Sequence, residues 1–180
     1  MNLQKLEADT HRAIDYWISE LSQYDMEQIL RKPSPDAWSM GQVAIHLWMS
    51  AKNFFFANAE KCLAGTDVQT GKGKTLSGHI VFTLRMMPPV RFKMPAKVAV
   101  EPRPPDSMEQ LMQKLNEIKT LATEYIYKIP QSNPAFKVKH PFLGYLNAAE
   151  WITLCNIHFR HHVRQKKRIE HELGLKKRAG

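Results

Sequence analysis

The sequence predicts an all-α protein, a four-helix bundle with a long crossover between its second and third helices. Four long segments carry apolar residues at helical spacing, and no segment shows the convincing alternation of a strand. One proline-rich connection is long enough to span a bundle. With 180 residues, the chain fits a single domain over residues 1–180 that can bury a sizeable core.

The first two helices are defined by their apolar faces and by their ends. Over about residues 2–24, the apolar positions fall on one broad face. The second helix is predicted to begin at Ser39, because Gln42 three positions later completes a capping-box pattern. It is predicted to end at Gly65, since glycine commonly terminates helices.

The third and fourth helices follow a second set of cap signals. The third is predicted to run from near Asp106 to Pro130. The fourth is predicted to begin at Asn147, with Glu150 completing another capping-box pattern, and to end at Gly174.

The connection over about residues 66–105 separates the two helix pairs. We expect a short helix around Ser77–Met87, followed by extended chain, because six prolines exclude a regular helix there. A connection of this length can cross the whole bundle, so helices two and three can run parallel. Helices one and two are then antiparallel, as are helices three and four.

A net charge of +9 raises the question of nucleic-acid binding. Much of the excess follows the last histidine pair, at Arg164, Lys166, Lys167, Arg168, Lys176, Lys177 and Arg178. The helix macrodipole favours cations at a helix C-terminus, and no aromatic residues are interleaved with them to stack on bases. We therefore interpret this cluster as a solvated basic helix end and do not expect nucleic acid as a partner.

The N-terminus and the cysteines favour the cytoplasm. Glu7 and Asp9 lie within the first ten residues, where a signal peptide would be apolar. Cys62 and Cys155 stand far apart without a CxxC pattern, which is typical of a reducing compartment. No apolar run reaches the length of a membrane span, so no membrane partner is expected.

Three histidines are the candidate metal ligands. His158 and His162 are four residues apart, which places both imidazoles on one helix face about one turn apart. His46 lies roughly 10 Å inside the second helix at 1.5 Å per residue. Antiparallel packing of helices two and four brings His46 close to the level of the pair. A third imidazole would complete a facial set with an open coordination position.

Each candidate also has a simpler interpretation. His46 can be a hydrogen-bonded core residue, and the pair can be an exposed part of a basic helix. His161 points about 60° away from His158, which suits the pocket rim better than the metal. Cys155 can line the pocket, ligate, or be a small buried hydrophobe, and Gln165 can orient a ligand or a bound water.

Two segments of the sequence carry a family resemblance. One is Trp38-Ser-Met-Gly-Gln-Val-Ala-Ile-His46-Leu, and the other is His140-Pro-Phe-Leu-Gly144 through Trp151, followed by His158-Phe-Arg-His-His162. They resemble the second-helix motif and the fourth-helix region of the DinB-like superfamily of metal-binding four-helix bundles. The order, the separation and the long crossover all fit, so the resemblance covers nearly the whole chain.

The resemblance implies a set of functional properties. It implies that His46, His158 and His162 coordinate a divalent cation, with water in the remaining positions, and that the protein is a homodimer. Zinc, nickel and iron all suit imidazole ligands. Known activities of the superfamily include transfer of low-molecular-weight thiols to electrophiles and a thiol-dependent isomerisation.

These observations lead to the expectation of a three-histidine metal-binding protein acting on a small-molecule substrate, with metal-dependent thiol S-transfer as the favoured reaction. Arg91 and Lys93 of the crossover can attract an anionic thiol or be solvated loop charges. Three alternatives stay open. They are hydrolysis at the same metal site, a non-catalytic metal-binding or interaction protein, and a basic nucleic-acid-binding bundle.

Overall fold

The computed structural model describes residues 2–88 and 101–177, and four long helical segments dominate that part of the chain. The helices are α1 (Leu3–Leu21), α2 (Met26–Leu30), α3 (Met40–Ser50), α4 (Ala57–Ala64), α5 (Leu76–Leu84), α6 (Met108–Lys128) and α7 (Ala148–Leu173). A π-helical segment, Ala51–Phe56, joins α3 to α4, so that the two form one long bundle helix. A 3-10 turn, Ile129–Gln131, follows α6, and the strands β1 (Val138–His140) and β2 (Gly144–Leu146) form an antiparallel pair.

Side-chain contacts along α1 establish the direction of its neighbours. His11 lies 3.0 Å from Thr123, and Lys119 bonds Asp15 at 2.6 Å, so α1 and α6 are antiparallel. The Trp17 indole donates to the Phe159 carbonyl and the Tyr24 hydroxyl donates to Glu170. Residue numbers rise together in these two contacts, and α1 and α7 are therefore parallel.

The second bundle helix, α3–α4, packs against the same two partners in the opposite sense. Trp48 donates to Glu117 and Phe56 stacks on Tyr125, which makes this helix parallel to α6. Cys62 approaches the Leu146 carbonyl just before α7, whereas His46 lies beside His158, so the helix runs antiparallel to α7. The predicted directions are confirmed: helices one and two are antiparallel, two and three parallel, and three and four antiparallel.

The predicted caps of the site-bearing helices are present. Ser39 and Gln42 form a reciprocal capping box at the start of α3, and Asn147 and Glu150 form another at the start of α7. Gly174 ends α7 with φ +57°, in the left-handed region. Local sequence therefore determines where both helices begin and where α7 ends.

Two small elements differ from the sequence prediction. The expectation that no strand is present is wrong for residues 138–146, which form the β1–β2 hairpin. Each strand has three residues, too few to show alternation in the sequence. Gly144 adopts φ +84° there, and a Cβ would lie 2.6 Å from the Gly73 carbonyl oxygen, so the hairpin packs closely on the crossover. The other addition is α2, which Asp25 caps.

The crossover is attached to the bundle at both described ends. The short helix predicted around Ser77–Met87 is confirmed as α5. Before it, Lys74 forms an ion pair with Glu150. At the other end, the Gln42 amide donates to the Glu101 carboxylate and the Pro102 carbonyl, both at 2.9 Å. The crossover therefore contacts the first turns of both site-bearing helices. The basic residues Arg91 and Lys93 lie outside the described residues.

A buried charge network joins α1 to the C-terminal half of α7. The Lys166 side chain is 0% exposed and bonds Glu20 at 2.6 Å and Glu170 at 2.5 Å. Glu20 also accepts from Lys177. A buried ammonium with two carboxylate partners fixes the register of α7 against α1. None of the described helices combines the length and the hydropathy that crossing a membrane requires.

Replacement of Lys166 by methionine should destabilise the protein strongly. The substitution removes the charge between the Glu20 and Glu170 carboxylates, and a buried ion pair broken on one side typically costs about 3–5 kcal/mol. We expect a loss of that size in the free energy of unfolding, measured by urea denaturation. The matched control is Lys167→Met at an exposed position, for which about 0.5 kcal/mol or less is expected. Equal losses in the two variants would contradict the assigned role of Lys166.

Candidate metal centre

The structure brings the three predicted histidines together. One ring nitrogen from each of His46, His158 and His162 lies within 4.8 Å of the other two. The Nε2 atoms of His46 and His158 are 3.1 Å apart. The three imidazoles converge from two helices and form, within the described residues, the one histidine, cysteine or carboxylate group with this spacing.

The geometry of this cluster fits a metal ion. An ion about 2.1 Å from two imidazole nitrogens, at the angles of tetrahedral or octahedral coordination, separates them by about 3.0–3.4 Å. The observed 3.1 Å between His46 and His158 lies in that range. The donors are all neutral nitrogens, a set that zinc, nickel, copper and iron accept. The residues present therefore suit a divalent transition metal.

Helix geometry explains why these side chains meet. On α7, the four-residue spacing places His158 and His162 on one face, with ring centroids 4.5 Å apart. His46 lies on α3, seven residues after its Ser39 cap, and its ring centroid is 4.9 Å from that of His162. The antiparallel packing of α3 on α7 places His46 at the same height along the bundle axis as His158 and His162.

Gln165 contacts the cluster from its outer side. Its Oε1 atom accepts a hydrogen bond from His162 Nδ1 at 2.7 Å. A neutral imidazole that donates through Nδ1 has its lone pair on Nε2, so this bond selects the tautomer that can ligate through Nε2. Gln165, for which the sequence left open the orientation of a ligand or of a bound water, thus contacts a predicted ligand directly.

Burial keeps the three imidazoles neutral. Desolvation lowers the pKa of His46 to about 4 and that of His162 to about 3. The pKa of His158 is held well below its ordinary value by desolvation and by the neighbouring His162 and His46. Trp38 lies against His46, with ring centroids 5.2 Å apart, and Phe55 lies 5.1 Å from His158. These aromatic rings exclude water from the sides of the cluster.

His161 and Cys155, whose roles the sequence left open, lie outside the group of three close nitrogens. His161 packs edge-on against His162 with centroids 5.3 Å apart, outside the group of three close nitrogens. Cys155 is fully buried, and desolvation raises the pKa of its thiol, which favours the interpretation of a small core residue. Neither side chain belongs to the convergent set.

His140 is a further histidine near α7, for which the sequence alone predicts no role. Its Nδ1 accepts hydrogen bonds from the backbone amides of Phe142 and Leu143 at 3.1 and 3.2 Å, and burial lowers its pKa to about 4. The ring packs against Phe54 and Trp151. His140 therefore shapes the hairpin turn. The single sequence signal for it is the His-Pro-Phe-Leu-Gly segment that precedes α7.

Comparison with known proteins supports the fold and assigns the family. The family model of the DinB superfamily matches residues 9–165, which include all three clustered histidines. A solved crystal structure described as a four-helix bundle protein aligns with a TM-score of 0.53 at 14% identity, covering 92% of this chain and 96% of that one. Its similarity concerns the fold. No curated protein matches the sequence.

The metal-free protein should lose stability as the pH falls from about 6.5 to 4. The folded-state pKa of His46, about 4, lies below its ordinary 6.5, so the unfolded chain binds more protons in this window. The stabilising effect of neutral His46 is complete above pH 6.5 and is lost as the pH falls towards 4. A depression of this size corresponds to about 3 kcal/mol.

Urea denaturation of chelator-treated protein between pH 7 and 4 measures this effect. We expect His46→Phe to reduce the loss of stability without abolishing it, because burial also lowers the pKa of His158, His162 and His140. The control His171→Phe, at an exposed position of α7, should leave the pH dependence unchanged. The same slope in wild type and His46→Phe would show that His46 is not held neutral by burial.

Proposed function

The chain belongs to the DinB superfamily, and on this premise we propose that it binds one divalent transition metal ion through His46, His158 and His162. The single observation that carries the proposal is the convergence of three ring nitrogens within 4.8 Å. Zinc, nickel and iron are the proposed metals, since each accepts imidazole nitrogen. The chain provides three ligands and leaves further coordination positions for water or a substrate.

The cluster and its neighbours suit activation of a thiol or a water molecule at neutral pH. A bound divalent ion lowers the pKa of a thiol or a water molecule that it binds. Three neutral imidazoles leave the ion its full positive charge, and the cluster contains no carboxylate that would reduce it. Gln165 holds the His162 ring in the ligating tautomer, and Phe55 shields His158 from water.

The reaction that we propose is metal-dependent transfer of a low-molecular-weight thiol to a small electrophilic substrate. The sulfur forms a bond to carbon, the bond from carbon to the leaving group breaks, and the thiol proton passes to solvent. Two points support this proposal. The chain belongs to a superfamily with known thiol-dependent members. The cluster consists of histidines without a carboxylate that could act as a general base, which favours activation of the thiol by the metal. Hydrolysis at the same site and non-catalytic metal binding are the competing outcomes.

Metal content tests the binding proposal. Elemental analysis of protein purified without chelator should give about one divalent metal ion per chain. His158→Ala should lose it, since two histidines hold a metal more weakly than three. Gln165→Leu should weaken affinity about 10- to 100-fold, as expected when a ligand loses the group that orients it.

The matched control for these variants is His171→Ala, at an exposed position on the same helix. It should retain the wild-type metal content. Metal-free wild-type protein, even after incubation with zinc, nickel or iron salts, would contradict the proposal.

The reaction is tested by separating thiol consumption from hydrolysis. Metal-loaded protein incubated with a small thiol and an electrophile, such as a chloronitrobenzene, should consume both at a rate that His158→Ala abolishes. Ester or amide cleavage without thiol would replace the transferase proposal by the hydrolase. Neither activity in the presence of bound metal would favour a non-catalytic metal-binding protein.

We also propose that the protein is a homodimer that uses the outer face of α5. Leu76, Ile80 and Leu84 recur every four residues and are 79%, 49% and 60% exposed. A line of exposed aliphatic side chains on one helix is typical of an interaction surface. The line is symmetric about Ile80, so two antiparallel copies of α5 can bury the same residues in an isologous contact.

Light scattering on a size-exclusion column tests the dimer. Wild type should elute with the mass of two chains, and Ile80→Glu should elute with the mass of one, because the charge would be buried without a partner. The control is His79→Glu, at an exposed position about 100° around α5 from Ile80, and it should stay dimeric. A monomeric wild type at micromolar concentration would contradict the proposed interface.

A cytoplasmic location is part of the same proposal. Cys62 and Cys155 are both free and buried in the described structure. Free thiols persist in a reducing compartment, which supports the proposed location.

A further inference from the structure

Ser50 lies against the histidine cluster, although the sequence pattern gave it no role. It is the last residue of α3, one helical turn after His46, and it therefore shares the face of that ligand. Its Oγ atom is 3.5 Å from both Nδ1 and Nε2 of His46. One of these nitrogens, Nε2, is the atom that faces His158. The hydroxyl thus lies beside the proposed ligand atom.

The hydroxyl of Ser50 has a different neighbour from those of Thr10 and Thr153 on α1 and α7. Thr10 and Thr153 each donate to the backbone carbonyl four residues earlier, at 2.8 Å. This is the usual partner of a serine or threonine inside a helix. Ser50 instead approaches the imidazole of His46. Its hydrogen-bonding capacity is therefore available to a ligand at the cluster.

The helix changes its pitch directly after Ser50. The π-helical segment begins at Ala51 and ends at Phe56. Such segments are rare and are frequently found at functional sites. Within this segment, Phe55 reaches the His158 ring at 5.1 Å. The second bundle helix therefore presents a hydroxyl to one ligand and an apolar ring to another.

The groups that contact the three imidazoles differ in their ability to form hydrogen bonds. Phe55 and the face of Trp38 are apolar, and Gln165 directs its oxygen towards His162. Ser50 contributes a hydroxyl, which can donate a hydrogen bond to an anion. A donor beside a cationic centre favours a negatively charged ligand there.

We infer that Ser50 positions a small anionic ligand, a thiolate or a hydroxide, by donating a hydrogen bond to it at the three-histidine centre. This inference rests on the proposed metal binding. It assigns Ser50 a contact with the ligand rather than with the metal.

Cobalt provides the spectroscopic test. Azide and 2-mercaptoethanol are titrated into cobalt-loaded protein at fixed pH, and binding is followed by the visible and charge-transfer absorption. Ser50→Ala should bind both probes about 10- to 100-fold more weakly, the range expected for a lost hydrogen bond to a charged group. Its affinity for cobalt itself should stay within about threefold of wild type, because Ser50 is not a ligand in this proposal.

Two further variants separate positioning from folding. Ser50→Thr retains the hydroxyl and should restore binding of both probes, whereas Ser22→Ala, at the end of α1, should behave as wild type. Equal azide affinities in wild type and Ser50→Ala, with cobalt bound to both, would overturn the inference alone. Loss of cobalt from Ser50→Ala would overturn it as well, by making Ser50 part of the metal-binding structure. A wild type that takes up no cobalt would contradict the proposed function and the role of Ser50 together.

Discussion

The antiparallel packing of α3 against α7 is the constraint on which the candidate centre depends. A slip by one helical turn would move His46 by about 5.4 Å along the helix axis and separate it from the pair on α7. The aromatic contacts of Phe54 with Trp151 and of Phe55 with His158 hold the register on one side of α7. On its other side, the buried Lys166 network fixes α7 against α1. The bundle therefore positions three side chains through helix packing rather than through loops.

The same packing makes the metal-free cluster unfavourable in free energy. Three imidazoles are brought close together and desolvated, and burial lowers the pKa of each. Protonation of any one would place a charge beside two other ring nitrogens in a partly apolar pocket. A divalent cation satisfies the lone pairs of all three at once and remains compatible with burial. The arrangement thus favours the neutral ligand form that metal binding requires.

Periodicity and caps predict the parts of the structure that arise from local interactions. Ser39 with Gln42 and Asn147 with Glu150 place the starts of α3 and α7, and the His158–His162 spacing predicts one shared face. His46 is far from this pair in sequence. Its depth in the second helix makes a contact with the pair feasible, and the family resemblance selects it as a ligand. Only the packing of α3 on α7 shows that the rings meet. Non-local contacts decide the remaining features. The β1–β2 hairpin depends on Gly144 packing against Gly73, and the π-helical pitch change after Ser50 has no pattern in a single sequence.

The central claim is that His46, His158 and His162 form one metal-binding centre. Anomalous diffraction from crystals of the metal-loaded protein, recorded on both sides of the metal absorption edge, tests this claim most directly. We predict one peak per chain, with one ring nitrogen of each of the three histidines about 2.0–2.2 Å away. A peak at His140, at His161 or at the basic end of α7, with none between the three clustered rings, would contradict the claim.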